Sequence, residues 1–204
     1  MDTQDFVQLS DEQNGKLAHD YLCYIQELGL PASKKPFIIA MTGLPGSGKS
    51  TFARALGKRL GVYVKSNDEV RRFLNERGYA GTSPYQATVE AINDTLSDYF
   101  YAHGISTILD ADVTRFHKVL REQAAEHGFR SLIVRVWCDQ ETLMRRIDDR
   151  ESGNFDSASH ATRQDVARQS AMHRETVAPH YDFEYSSTTD LEKAIEAVAK
   201  LIEP

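Results

Sequence analysis

Phe37-Ile38-Ile39-Ala40-Met41-Thr42-Gly43-Leu44-Pro45-Gly46-Ser47-Gly48-Lys49-Ser50-Thr51 is the stretch on which the fold turns. Its first five residues form a short, unbroken apolar run, the pattern of a strand buried on both faces. A glycine-rich turn follows, and a helix is expected over residues 50–60, closed by Gly61. Gly43 to Ser50 match G-x-x-x-x-G-K-[ST] in the strand–turn–helix context that this pattern requires. Glycine lets the backbone wrap a phosphate with no Cβ in the way. The loop N–H groups then form an anion-binding nest, and the following helix aims its positive end at the same point. The expected nucleotide contacts are Gly43, Leu44, Pro45, Gly46, Ser47, Gly48, Lys49, Ser50 and Thr51. Lys49 would reach the β- and γ-phosphates, Ser50 would ligate Mg²⁺, and Thr51 would face the α-phosphate. ATP and Mg²⁺ are therefore the expected ligands.

Outward from this stretch, apolar residues recur at helical spacing before it, over residues 11–28, with Gly29 and Pro31 as the stop. Residues 1–35 read as an N-terminal helical extension and residues 36–204 as the main domain. After the glycine-rich turn, strands are expected at residues 62–64, 106–109, 131–137 and 183–185. Helices are expected at 68–76, 85–101, 115–127, 140–150, 163–176 and 191–201. Strands alternating with helices imply the α/β class. The expected architecture is a three-layer α/β/α fold on a five-stranded, mostly parallel sheet. Residues 78–84 read as a loop, and the polar stretch at about 151–163 reads as a lid.

Composition sets outer limits. The chain has 204 residues, about one domain at roughly 150 residues each. Its formal charge, 24 − 30 = −6, excludes a basic nucleic-acid coat but not a local basic groove. Cys23 and Cys138 are far apart and lack metal-site spacing, which suits a reducing compartment. The polar N-terminus does not read as a secretory signal, and no apolar run approaches a membrane span. The expected location is the cytosol.

The segments GLPGSGKST (43–51), SNDEVRR (66–72), ILDAD (108–112) and LMRRIDDR (143–150) together resemble P-loop kinases of the polynucleotide 5′-kinase and zeta-toxin type. More broadly, they resemble small ATP-binding, kinase-like proteins of AAA type. The resemblance covers residues 37–204 and leaves out the extension. It implies a nucleoside-kinase-like fold and transfer of the ATP γ-phosphate to a hydroxyl.

In the resembling kinases an aspartate at the position of Asp68 takes the acceptor's proton, and the D-x-x-R arginine, here Arg71, holds an acceptor phosphate or other polar group. The other reading of Asp68 is a helix cap, a role that Ser66 or Asn67 could fill instead. Asp110 ends an apolar strand where an acid can hold a metal-bound water or orient the acceptor. Asp112 could compete with Asp110 for metal or acceptor, or cap the helix carrying Arg115. Arg146 and Arg150 lie four apart on one helix face and resemble a lid pair that stabilises the transferring phosphoryl group. Their alternative is surface pairing with Asp148, Asp149 and Glu151, and Arg163 and Arg168 are weaker candidates. Tyr79 and Tyr85 could stack on an acceptor ring. Trp137 reads as core or adenine-side packing, and His117, His127 and His160 read as surface residues.

Two functions remain open at this level. One is a phosphotransferase acting on a small metabolite, a nucleotide-sugar, an antibiotic or a nucleic-acid 5′ end, the last disfavoured by charge. The other is a non-kinase ATPase or nucleotide-dependent binding module. The guanine-specific N-K-x-D motif is absent from the sequence.

Overall fold

The computed structural model describes residues 9–79, 85–152 and 161–202. The central part of the expected lid, residues 153–160, the tip of the 78–84 loop, His160 and the side chain of Tyr85 lie outside the described residues. The chain forms two compact units, one of residues 1–34 and 66–105, the other of residues 35–65 and 106–204.

The first unit is helical. α1 (Asp11–Glu27) starts at a capping box, in which Ser10 Oγ accepts from Gln13 N–H and Gln13 Oε1 accepts from Ser10 N–H. These reciprocal bonds satisfy two amides that the helix itself leaves free. α3 (Asn67–Glu76) and α4 (Tyr85–His103) complete the unit. The N-terminal helix expected as an extension packs along α4 and α3. Its Tyr21 is fully buried with its ring edge-on to Phe73 at 4.7 Å, and Asn14 Oδ1 accepts from buried Thr88 Oγ1 at 2.7 Å. Of the apolar face read from the sequence, Leu17, Tyr21 and Ile25 are buried, whereas Tyr24 and Leu28 stay exposed.

The second unit holds the five-stranded parallel sheet. Its strands are β1 (Phe37–Thr42), β2 (Tyr63–Ser66), β3 (Thr107–Asp110), β4 (Arg130–Trp137) and β5 (Phe183–Ser186), in the order β2-β3-β1-β4-β5. Every residue of β1 is buried, as the apolar run predicts. Side chains alternate across a strand, so Ile39 and Met41 face one way and Ile38 and Ala40 the other. Ile39 and Met41 pack with Phe52, Ala53 and Leu56 of α2 (Lys49–Leu60), with Val134 and Val136, and with Ile195 and Val198 of α8 (Leu191–Ile202). Each large side chain buried this way contributes about 1.5–3 kcal/mol. α2 sits so close to the sheet that a Cβ at Gly57 would lie 2.3 Å from Val64 Cγ2. α5 (His117–Glu126) packs on β4, and α6 (Gln140–Glu151) contacts α7 (Arg163–Glu175).

The structure departs from the core reading of Trp137 and from the surface reading of His117. Trp137 is 43% exposed at the end of β4, beyond the packed part of that strand. His117 is buried, with Nδ1 2.9 Å from the Thr114 carbonyl. Among the described residues no helix is long and apolar enough to cross a membrane.

Candidate functional site

β1 lies beside β3, and the connection from β1 runs to β2 on one side whereas that from β3 crosses to β4 on the other. In parallel α/β sheets such a switch point, at the carboxyl ends of the strands, is where ligands bind. Residues 43–48 occupy this position. Gly43, Gly46 and Gly48 take φ values of +142°, +85° and +103°. A Cβ at Gly43 would lie 2.1 Å from the Val136 carbonyl oxygen, and one at Gly48 would lie 2.9 Å from Ser187 Cβ. The glycines are thus required by backbone conformation and by close packing together. Gly48 caps α2 without a side-chain acceptor, and the first turn carries no acid. The early amides of α2 therefore keep their capacity for an anion. Ser47 Oγ is buried within the loop with no hydrogen-bond partner. A cradle closed to any Cβ, holding an orphaned hydroxyl and an acid-free helix start, fits a phosphate group.

Lys49 folds back over this loop. Its Nζ donates to the carbonyls of Gly43 at 2.7 Å and Leu44 at 2.9 Å. Ser50 is half-buried and Thr51 exposed in the first turn of α2. Asp110, half-buried, ends β3 beside β1.

Asp112 does not cap α5, whose N-cap is Phe116 with no side-chain bond; Arg115 lies before that helix and is exposed. Instead Asp112 sits at the root of the phosphate loop. Its Oδ1 accepts from Thr42 Oγ1 and Thr114 Oγ1, both at 2.8 Å, and from Gly43 N–H at 3.3 Å. Its Oδ2 accepts from Gln169 Nε2 at 2.6 Å and lies 2.8 Å from His173 Nε2. Burial alone would raise the Asp112 carboxyl. The hydrogen bonds from His173, Thr114 and Thr42, together with the charge of His173, outweigh burial and hold it well below the usual range. Both oxygens are thereby engaged within the protein.

Arg146 grips the same loop from α6. Its Nη1 donates to the carbonyls of Gly46 (3.2 Å) and Ser47 (3.4 Å) and to Ser187 Oγ (2.8 Å). Beside it, burial pushes the Cys138 thiol up, partly offset by the Arg146 charge and a hydrogen bond with Ser187, so Cys138 is no activated thiolate. Arg150 is half-buried one turn further along α6. Of the acids expected to pair on that helix surface, Asp148 is held by Arg163, and Glu151 Oε1 accepts from the Arg163 amide. Arg168 pairs with Asp165 at the surface.

In the helical unit, Ser66 is the N-cap of α3 and its Oγ accepts from Asp68 N–H. The Asp68 carboxylate is therefore not the cap, and it receives Arg71 Nη1 at 2.6 Å.

Thr42, Thr114, Gln169, His173 and Ser187 escaped the sequence reading. The available signals were modest: Gln169 and His173 stand four apart on one helix, and Thr114 stands two residues after Asp112.

A parallel α/β sheet with a glycine cradle, lysine and serine at its switch point defines a P-loop protein of kinase-like fold. Residues 38–176 match the AAA_33 family, described as an AAA domain, and the chain belongs to that family. A UPF0200 protein of Aeropyrum pernix is 31% identical over 125 residues, covering 57% of this chain and 66% of that protein. The chain thus matches just under two thirds of that relative's length. Among solved structures, the APS kinase CysC of Mycobacterium tuberculosis, in complex with AMPPNP and APS, is similar at TM-score 0.57 and 20% identity, over 85% of this chain and 100% of that one. Kti12 of Chaetomium thermophilum, in complex with ADP-AlF3, is similar at TM-score 0.59 and 17% identity, over 82% of this chain and 100% of that one. At these identities the likeness to solved structures is one of fold.

Proposed function

We propose that this protein is an ATP-dependent phosphotransferase that moves the γ-phosphate of ATP to a hydroxyl acceptor. The carrying observation is the phosphate cradle at the switch point, with Lys49 bonded to two of its carbonyls. The nucleotide analogues in the CysC and Kti12 complexes support a nucleotide in a fold of this kind. The order of Asp68-Arg71, Asp110 and Arg146-Arg150 supports the polynucleotide 5′-kinase and zeta-toxin type.

In this reading the amides of Gly46, Gly48, Lys49, Ser50 and Thr51 bind the phosphates, and Lys49 Nζ exchanges carbonyl partners for phosphate oxygens. Mg²⁺, held by Ser50 and Asp110, would neutralise charge on the transferring group. Asp68 Oδ accepts the acceptor hydroxyl's proton as the new P–O bond forms and the bond to the ADP oxygen breaks. Arg71 orients that carboxylate and contributes to acceptor binding. Arg150 stabilises charge on the phosphoryl oxygens, and Arg146 keeps the loop in shape for the transfer. Both cysteines are free, which suits a cytosolic setting.

The test is γ-phosphate transfer from labelled Mg·ATP to a panel of 5′-hydroxyl DNA and RNA, nucleosides, UDP-sugars, aminoglycosides and simple sugars. One labelled acceptor, lost in Asp68→Asn, is the expected result. ATP binding with slow hydrolysis, no labelled acceptor, and hydrolysis unchanged in Asp68→Asn would favour a nucleotide-dependent module instead.

A further inference from the structure

The carboxylate of Asp112 is only 9% exposed, and it belongs neither to the glycine-rich turn nor to the helix that follows it. A buried carboxylate is tolerated only when its acceptor sites are filled, and a well-packed apolar group is often as stable. Its presence here therefore asks for a role beyond stability. The geometry points to one. Gln169 and His173 project from one face of α7 onto Oδ2, and the opposite oxygen, Oδ1, receives the amide of Gly43, the first residue of the phosphate loop. The carbonyl of that same residue receives Lys49 Nζ at 2.7 Å. Helix α7, Asp112, the Gly43 peptide and Lys49 thus form one continuous chain of hydrogen bonds.

The loop is held at its other end too. Arg146 of α6 donates to the Gly46 and Ser47 carbonyls. α6 and α7 are tied to each other by the two-pronged Arg163–Asp148 pair. α6 therefore holds one end of the loop directly, through a cation on carbonyls, and α7 reaches the other end through Asp112, whose carboxylate accepts from an amide.

We propose that Gln169 and His173 are positioning residues for the phosphate loop, acting through Asp112 on the Gly43 amide, so that α7 sets the placement of Lys49. The proposal rests on the phosphate-loop reading above. Proton counting supports a defined direction. Thr42 and Thr114 have one hydroxyl proton each, and their oxygens lie 2.7 Å apart, so one hydroxyl donates to Oδ1 while the other donates to it or to its neighbour; Thr114 Oγ1 also lies 3.2 Å from His173 Nε2 and accepts there when that nitrogen carries a proton. That leaves Oδ2 to the amide of Gln169 and to His173 Nε2–H, a donor in the imidazolium and in the Nε2–H tautomer alike. Removing both α7 donors strips one carboxylate oxygen of its side-chain partners. Asp112 then turns, and the Gly43 peptide turns with it.

The experiment uses the full chain and follows the Gly43 amide by NMR, together with Mg·ATP binding by calorimetry. The double variant Gln169→Met/His173→Phe keeps side-chain bulk and removes both donors. Its Gly43 resonance is expected to move, its amide to exchange at least about tenfold faster, and Mg·ATP affinity to fall about 10- to 100-fold, the range lost when a partner that orients a ligating group is removed. His173→Gln, which keeps a donor near the Nε2 position, is expected to retain the wild-type Gly43 resonance and affinity. It also serves as the test should the double variant fail to fold, in comparison with His173→Phe alone. A folded double variant with unchanged Gly43 resonance, exchange and ATP affinity overturns the proposal. Failure of the underlying reading looks different: Lys49→Ala would then leave Mg·ATP binding intact, whatever the α7 variants do.

Discussion

Arg146 Nη1 lies 2.8 Å from Ser187 Oγ while donating to the carbonyls of Gly46 and Ser47, so one guanidinium joins α6, the phosphate loop and the residue after β5. Its planar fork suits several acceptors at once, which a lysine cannot match. Arg146→Lys is expected to weaken Mg·ATP binding and to lower stability by about 1–3 kcal/mol, the usual loss for charged hydrogen bonds. Arg150→Ala is expected to behave differently, lowering kcat more than it raises KM for ATP. Calorimetry, melting curves and steady-state kinetics on the two variants check this division. Identical kinetic profiles would refute it.

Gly43 offers a steric test. A methyl group there meets the Val136 carbonyl at 2.1 Å on a backbone at φ +142°. Gly43→Ala is expected to abolish nucleotide binding and to cost about 2–3 kcal/mol of stability. Gly61, at φ +66° with open space around its Cβ position, isolates the conformational part. Gly61→Ala is expected to cost about 1 kcal/mol and to leave binding intact. Urea unfolding of both variants provides the comparison.

At Gly57 the obstacle is a side chain that can be removed. Gly57→Ala brings a methyl group to 2.3 Å from Val64 Cγ2, and overpacking of this kind costs about 1–3 kcal/mol. Val64→Ala opens the space. The double variant is expected to lose less stability than the sum of the single variants, because the two sites share one contact. Strict additivity in a double-mutant cycle would contradict this packing.

Elements and cradle were legible because their signals are local. The apolar run at 37–41, the positive-φ glycines and the Ser66 cap all act over a few residues, and every expected strand and helix occurs within a residue or two of its place. The long-range contacts left no such trace. Asp112 and His173 are 61 residues apart, and Arg146 and Gly46 are 100 apart. No periodicity reports a bond between such pairs. The surface expectation for His117 fails because burial of a lone histidine depends on what the tertiary fold lays over it, and the one local bond, to the Thr114 carbonyl, leaves no mark in the sequence. Trp137 departs from the core half of its reading because the sheet continues past its packed layer at the carboxyl edge, and its exposure there leaves the adenine-side reading.

Asp68, freed from capping by Ser66 and held by Arg71 at 2.6 Å, is the residue on which the central claim rests. The most direct test is single-turnover transfer of labelled γ-phosphate to the identified acceptor by wild type and Asp68→Asn, with Mg·ATP affinity measured alongside. The account predicts affinity within about twofold of wild type and transfer slower by about 10²–10⁴, the range for loss of a general base. Transfer at near wild-type rate with ATP bound as before would contradict it.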